Sequence, residues 1–591
     1  MAGSGLIADI ITKAESALRT GNALLCHDIV NSANHLGPHP PELAQRLDYL
    51  AILSLAHCGS TQRALSRYHA TERPKADSDQ DWLALEGRLF KDLARQGGAA
   101  AQFMYARAAE SYWEAFRQTG GYFSAINAAT MFMLSGDASR AQALAREVLA
   151  QTEDSPSAGE LERYNLLVSQ AEAALLLEDL DASRAALRSA DALARNHRTA
   201  RARTVQQLQL ICQHRRLSKT IPALLTVPPQ LFVYRDHVFA VGDLPSAHQR
   251  MASSFEVPDV ELAGATAYVG LLDPIDLCVV EQLIDRGVHV SLSIPGTRDT
   301  LSAAWHAQYE AGWVMRLART LERAGEVNPT RGFLPGETRW LRQHVMGKVL
   351  GLSRHSPDGI RSQWLGLTVE PDDSALRFKL CTMDNAQLRT IERSLADRHC
   401  PLSEQPRQIG MKERRLCAIV AAQFGDDSVV DDPTLARLRA RVLAPIGQHL
   451  ATHGAKVLMR KVNGRSVLVA TDDPETAARI ALSIVNTHNH AQATADTDAT
   501  LPQEVRLLIH MAPLSQGDDP VENLPSLFGT ELLFCEAHAA HIPPGSVFVT
   551  EAFVAALGLV GSAHYRLEYV GESLPSAARA DARLFNLKPE A

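Results

Sequence analysis

The sequence predicts a multidomain chain of α and α/β architecture: an alpha-solenoid of helix pairs, then a parallel α/β domain, then an α+β domain. Three observations predict it. From Ile7 to about Leu217 the helical period dominates and breaks at short intervals. After Pro228-Pro229 the pattern changes to short apolar runs and alternations of strand length. From Arg414 onward strands and helices alternate around a tight hairpin. At 591 residues the chain is too long for one core, and about three to five domains are expected.

In the helical part, Leu6, Ile10, Ile11, Ala14 and Leu18 mark one face of a first helix, and Leu24, Ile29 and Val30 belong to a second. Breaks recur at Gly21, Gly59, Gly136 and Asp179, leaving segments of helix-hairpin length. Two stretches place alanine at the helix contacts, as tetratricopeptide-type pairs do. One has Ala138, Ala141, Ala145 and Leu149; the other has Ala182, Ala186, Ala190 and Ala194. Small residues let neighbouring helices approach closely, and such pairs must stack to bury their faces. Residues 1–222 therefore read as a TPR-like solenoid. Arg198, Arg201, Arg203, Arg215 and Arg216 read as a solvated basic face of its last helix.

The segments Gly87-Arg88-Leu89-Phe90-Lys91-Asp92, Ser111-Tyr112-Trp113 and Gly121 to Thr130 resemble the signature of the TRAF-binding region of MAP kinase kinase kinases. That region also occurs in bacterial signalling proteins, often ahead of a cyclase domain. The resemblance covers roughly residues 80–150 and implies a helical-repeat interaction module. Read by its chemistry alone, Asn127 amid alanines is an amide that caps or bridges adjacent helices.

Residues 228–372 read as the α/β domain. Gln230–Phe239 and Gly264–Val269 are strands, Leu277–Ile284 a helix and Val288–Ile294 a strand; this order predicts a parallel sheet with crossover helices. Ala267–Pro295 is similar to the Rossmann-like segment that follows the helical module in those bacterial relatives. Their pattern brings a phosphate to backbone amides through small residues and an acid. Here Leu271-Leu272-Asp273-Pro274-Ile275-Asp276 fills the loop with bulk and a proline, and Val233-Tyr234-Arg235-Asp236 replaces a glycine-bearing strand end. Asp276 therefore reads as a helix N-cap rather than a ligand. Residues 373–412 read as a linker or extension, with Pro401–Gln408 as its irregular part.

In residues 413–588, Arg414–Ala422 is a strand and Leu435–Leu450 an amphipathic helix. Val457–Lys461 and Ser466–Ala470 form a hairpin about Asn463-Gly464-Arg465. Glu475–Val485 is a helix, and Glu504–His510 and Pro543–Thr550 are strands. This order resembles the class III adenylate and guanylate cyclases, which implies a ferredoxin-like α+β domain. Their chemistry needs two carboxylates for two metal ions, an Asn and an Arg for the transition state, and a base-selecting pair. The resemblance puts Gln423 and Arg465 at the metal positions, and Leu533 and Ala537 at the transition-state positions counted from Gly529. None of the four can do the required work. Lys461 matches the adenine-reading lysine and Ser526 its partner, a vestigial purine contact; read without the resemblance, Lys461 is an exposed strand lysine.

The remaining features narrow the function. The formal charge of −8, with both signs interspersed, gives no nucleic-acid footprint. The eight cysteines show no CxxC spacing and read as reduced core residues. There is no signal-peptide pattern and no apolar run near the ~18 residues that span a bilayer, so the expected location is the cytoplasm. Cys535, His538 and His541 share a helical spacing that could hold zinc, but no fourth ligand accompanies them, and no metal is expected. Gly3-Ser4-Gly5-Leu6-Ile7-Ala8 follows no strand and is no dinucleotide fingerprint.

The expectation is a non-enzymatic, cofactor-free signalling protein. Its helical array binds a protein partner, and its cyclase-like domain pairs with itself or with an intact cyclase. Two other readings compete: a divergent cyclase drawing acids from Asp426, Asp427, Asp472 or Asp473, and a nucleotide sensor using Lys461 and the middle domain.

Overall fold

The computed structural model describes residues 2–19, 23–34, 39–71, 80–95, 100–153, 159–193, 198–218, 220–225, 230–234, 255–256, 265–330, 338–354, 362–369, 376–382, 413–425, 431–452, 456–494, 501–560, 564–573 and 582–589, apart from a few single positions.

The amino-terminal region consists of helices α1 (Ala2–Arg19), α2 (Ala23–Asn34), α3 (Pro41–His57), α4 (Thr61–Ala70), α5 (Gln80–Ala94), α6 (Ala101–Thr119), α7 (Tyr122–Ser135), α8 (Ala138–Thr152), α9 (Glu160–Leu176), α10 (Leu180–Asp191) and α11 (Arg198–His214). Most pack on their sequence neighbours, as stacked hairpins must. The alanine stripes are contact surfaces: Ala141, Ala145 and Ala190 are buried in one core with the wholly buried α7 segment Ser124–Leu134. The breaks have local causes. Gly59 and Gly136 adopt φ of +83° and +99°, a left-handed conformation that glycine reaches without a Cβ clash. Asp137 and Asp179 cap α8 and α10, accepting from Arg140 N at 3.1 Å and Ala182 N at 2.9 Å.

The predicted solvated basic face is corrected at two positions. Arg201 is buried and donates to the Asp191 and Leu193 carbonyls at the end of α10, and also pairs with the Asp191 carboxylate. Arg215 donates to the Leu176 carbonyl at 2.6 Å at the end of α9. Helix carboxy-termini leave carbonyls unsatisfied and carry partial negative charge, which draws these guanidinium groups inward.

The middle region contains β1 (Gln230–Tyr234), β2 (Phe255–Glu256), β3 (Thr266–Gly270), α12 (Pro274–Asp285), β4 (His289–Pro295), α13 (Arg298–Gln308), α14 (Ala311–Arg323), β5 (Glu326–Thr330), α15 (Thr338–Arg354), β6 (Ser362–Val369) and β7 (Leu376–Thr382). The sheet order is β2-β7-β6-β1-β3-β4-β5, with β1, β3, β4 and β5 mutually parallel; α12 joins β3 to β4, and α13 and α14 join β4 to β5. Strand β6 returns to the free side of β1, also parallel, and β7 pairs with it antiparallel. The sheet thus extends into the stretch read as linker. Leu376, Phe378 and Leu380 alternate with Arg377 and Lys379, a strand pattern the reading passed over. Residues 228–229, 235–248 and 383–412, with the Pro401–Gln408 segment, lie outside the described residues.

The carboxy-terminal region comprises β8 (Glu413–Phe424), α16 (Asp432–Leu438) running through a π turn (Arg439–Leu443) into α17 (Ala444–Thr452), β9 (Val457–Asn463), β10 (Ser466–Thr471), α18 (Pro474–Ala493), β11 (Val505–Asp518), β12 (Pro525–Phe528), α19 (Thr530–His541), β13 (Val547–Thr550), α20 (Glu551–Val560), β14 (Tyr565–Ser573) and β15 (Ala582–Pro589). The strand order is β14-β15-β13-β11-β8-β10-β9, with β12 on β11. The hairpin turn is Gly464-Arg465, because Asn463 pairs with Ser466; Gly464 takes the first central position with φ +56°.

Alternation along β8 gives the sheet two apolar faces. Ala418, Val420, Ala422 and Phe424 pack with α16–α18 and α20. Cys417, Ile419 and Ala421 pack with α19 and with Ala23, Leu24 and Cys58 of the amino-terminal helices. Helices distant in sequence therefore cover part of this sheet. Asn586 Nδ2 donates to the Cys58 carbonyl and Ser60 Oγ to the Pro544 carbonyl, both at 3.0 Å. The middle region joins through α15 and α20, where Lys348 Nζ meets Glu551 at 2.9 Å and Arg583 bridges Glu551 and Glu326 at 3.2 and 2.9 Å.

Candidate functional site

Of the positions singled out in the carboxy-terminal region, Gln423 and Arg465 meet at the end of β8, whereas Ser526 pairs with Gly517 beyond the start of that strand. Gln423 stands opposite Ser466 of β10 on one side and Arg506 of β11 on the other. By alternation it belongs to the face that carries Ile419 and Ala421. The Phe424 amide donates to the Arg465 carbonyl at 3.0 Å, so strand register brings Gln423 and the hairpin turn together. The Arg465 guanidinium lies over the chain at Gly425: a methyl group added there would stand 3.5 Å from its Nη1. Arg506 Nη1 donates to the Gly425 carbonyl at 2.6 Å. This strand end thus carries a neutral amide and two guanidinium groups. Glu504, the neighbouring carboxylate, is engaged by Arg506 at 3.0 Å and by Arg63. An amide and a guanidinium are not a ligand set for a divalent cation, which takes oxygen ligands with carboxylates among them.

Leu533 and Ala537 lie one turn apart on α19. Leu533 is 68% exposed, while Phe534, Cys535 and His538 form the buried side of the helix. Neither outward residue carries a hydrogen-bonding side chain. Lys461 is exposed on β9 and pairs with Leu468, whose side chain packs on the same face as Ala421. Strand β12 lies against β9, which brings the strands of Ser526 and Lys461 together. Leu527 takes the core-facing position of β12, so alternation turns Ser526 to the other side.

Of the competing acids, Asp472 and Asp473 sit at the opposite end of β10 from Arg465, about 20 Å along the strand. Asp472 is paired with Arg415 at 2.9 Å. Asp473 caps α18 and meets Lys456 at 3.1 Å. Asp426 and Asp427 lie outside the described residues. Cys535 and His538 are buried while His541 is exposed at the helix end, and among the described residues no three His, Cys, Asp or Glu side chains could hold a metal ion together. Burial raises the buried thiols, Cys26 and Cys417 each to about 12, so these are packing residues rather than nucleophiles.

In the middle region the N-cap reading is corrected. Asp273 caps α12, accepting from Ile275 N at 2.9 Å and Asp276 N at 3.2 Å. Asp276 stands three residues on and accepts from Leu272 N at 3.0 Å. Both carboxylates thus satisfy loop and helix amides at the start of α12. Tyr234 ends β1, and Arg235 and Asp236 lie outside the described residues.

In the helical array, Asn127 bridges helices as the amide reading expected. Its Nδ2 donates to the Phe123 carbonyl at 2.9 Å, and its Oδ1 accepts from Lys91 of α5 at 3.2 Å. Desolvation lowers Lys91 to about 8 against the attraction of Glu172; burial raises Glu172 to about 7 against the attraction of Lys91. Sequence reasoning missed Glu172 and the interdomain group Lys348, Glu551, Arg583 and Glu326. A lysine in an apolar helix stretch (Val345-Met346-Gly347-Lys348-Val349-Leu350) was the available signal for the latter.

A family model described as Tetratricopeptide Repeats-Sensor (TPR-S) matches residues 25–132. No curated protein matches the chain. Among solved structures, a thermophilic TPR protein of Thermus thermophilus is 16% identical over 34% of this chain and 99% of its own, with a TM-score of 0.28. The adenylyl cyclase CyaB of P. aeruginosa is 13% identical over 30% of this chain and 96% of its own, with a TM-score of 0.26. An adenylate/guanylate cyclase/hydrolase of Silicibacter pomeroyi is 21% identical over 30% of this chain and 100% of its own, with a TM-score of 0.24. The amino-terminal region is thus TPR-like, and cyclases are among the structural neighbours of the chain.

Proposed function

We propose that this chain is a non-catalytic signalling or regulatory protein. Its TPR-like array receives a protein partner, and its carboxy-terminal domain keeps the form of a class III cyclase domain as a regulatory or dimerisation module. The single observation that carries the reading is the strand end at Gln423. Register joins Gln423 to the Arg465 turn, where two carboxylates would be needed, and the side chains present there are an amide and a guanidinium. Leu533 and Ala537 support it from α19, since neither can orient a ribose or stabilise transition-state charge.

The finer readings belong to the same proposal. The segment near residues 80–150 is of the TRAF-binding type, and the middle region is a Rossmann-like domain whose phosphate-facing loop is closed by Asp273 and Asp276. The protein works in the cytoplasm without a cofactor; among the described residues no helix is long and apolar enough to cross a membrane. Exposed Val462, Leu524, Phe528 and Leu533 offer apolar contact for a second cyclase-like domain. The divergent-cyclase reading loses Asp472 and Asp473, which are engaged at the wrong end of β10.

Purified full-length protein given ATP or GTP with Mg²⁺ or Mn²⁺ is expected to form no cyclic AMP or cyclic GMP above a Lys461→Ala control. Product above that control overturns the reading.

A further inference from the structure

Between the amino-terminal helices and the carboxy-terminal domain lies a cleft of about 650 Å³, the size of a small-molecule site. His27 and Asn31 of α2, Arg63 and Arg67 of α4, Arg506 of β11 and His541 of α19 supply its charged and amide groups. Among the described residues that line it there is no carboxylate. Just outside, Glu504 serves both Arg63 and Arg506, and Asp48 holds Arg67 at 2.9 Å. Among the described residues these three guanidinium groups share two carboxylates. Asp28, beside His27, has its carboxyl pushed up to about 7 by burial, so about half of its charge is absent at neutral pH.

His27 adds an independent sign. Its Nε2 lies 3.0 Å from Asn31 Nδ2, an amide nitrogen with only hydrogens to offer, so Nε2 accepts and a neutral ring carries its proton on Nδ1. That Nδ1 is buried and, among the described residues, has no hydrogen-bond partner. Burial first, then Arg67, Arg63 and Arg506, lower the ring to about 4, which keeps it neutral in ordinary conditions. A buried N–H donor without an acceptor is costly, and it is ringed here by three cations. An anion in the cleft would offset the three cations that act on this ring.

We propose that this cleft binds a phosphate-bearing small molecule of about mononucleotide size, its oxygens taken by Arg63, Arg67 and Arg506. Phosphate fits better than a carboxylate. Arginines drawn from α4 and β11 together suit a tetrahedral dianion with three or more acceptor atoms, which a planar carboxylate lacks. Because α2 and α4 belong to the helical array and β11 to the cyclase-like domain, the ligand ties the two regions together. Occupancy then stabilises their docked arrangement by mass action. The site is separate from Lys461 and does not depend on whether the carboxy-terminal domain is catalytic.

Isothermal titration of the full chain in phosphate-free buffer tests it, with inorganic phosphate, pyrophosphate, AMP and ATP as probes. AMP and pyrophosphate are not cyclase substrates, so the result is independent of turnover. Saturable binding of at least one probe is expected, weakened about tenfold or more by Arg67→Ala and by Arg506→Ala, and unchanged by Arg319→Ala on exposed α14. If phosphate or pyrophosphate binds as well as AMP, the phosphate group alone is the determinant; tighter AMP binding makes the nucleoside part of it. Both outcomes uphold the proposal. Where an alanine variant fails to fold, Arg67→Lys keeps the charge, loses the fork, and should weaken binding severalfold. Absence of saturable heat with every probe overturns the proposal. So does binding left intact by folded Arg67 and Arg506 variants, or binding of an acidic peptide in place of all four probes.

Discussion

At Lys91 and Asn127, buried polarity does the work of specifying how two helices meet. The Lys91 ammonium on α5 finds the Asn127 amide on α7, and Glu172 on α9 supplies the opposing charge. Removing the amide leaves a desolvated cation short of an acceptor. Asn127→Ala should therefore destabilise the array by about 1–3 kcal/mol, measured by urea unfolding of the full chain. No loss of stability would mean that water replaces the amide at no cost. The bridging role of Asn127 was legible because a lone amide among alanines must satisfy a backbone or polar group. The partners were not, since Lys91 and Glu172 lie on other helices. Arg201 teaches the reverse lesson: in a run of arginines it looks solvated, and only the neighbouring helix end explains why it is buried.

Elements meet where side chains permit approach. On α15, Gly347 is buried against α20, and a methyl group there would run into the Ala555 carbonyl. Gly347→Ala should force the helices apart and cost about 1–3 kcal/mol, seen as a lower unfolding midpoint and faster proteolysis between the middle and carboxy-terminal regions. An unchanged midpoint would show that the crossing yields without strain. Caps behave more locally. Asp179 at the start of α10 accepts from Ala182 N, and Asp179→Ala should cost about 1 kcal/mol by the same measurement. The Asp179 break was readable from sequence because a cap is a matter of a few adjacent residues. The hairpin at Gly464-Arg465 was located within one residue for the same reason. Strand β7 was missed because five to seven alternating residues beside long unpatterned stretches look like linker until a partner strand is present.

The whole molecule is held by charged and polar contacts between regions far apart in sequence. Between the middle and carboxy-terminal regions, burial pushes the Glu551 carboxyl up, but Lys348, Arg583 and His344 hold it down to about 2. Burial lowers His344 to about 4 from an ordinary 6.5. As pH falls from about 6.5 to about 4, the unfolded chain takes up the histidine proton before the folded one, and stability is lost over that window. Glu551 adds loss from about 4.5 down to about 2, because its folded carboxylate resists protonation. Each contribution is at most about 3.5 kcal/mol. Urea midpoints followed from pH 7 to pH 3 should fall, and His344→Gln should flatten the upper limb; a flat wild-type profile would count against this account. The sequence by itself determined the helical hairpins, the strand-helix-strand start of the middle region, the Gly464 hairpin and the residue types at Gln423, Arg465, Leu533 and Ala537. Periodicity, caps, turns and residue identity are local properties that need no partner. Only the tertiary structure decided that α2 and α3 cover a face of the carboxy-terminal sheet, that Lys348 meets Glu551, and that arginines from residues 63, 67 and 506 share one cleft. Such contacts join residues hundreds of positions apart, where no local pattern records which surfaces will exclude water together.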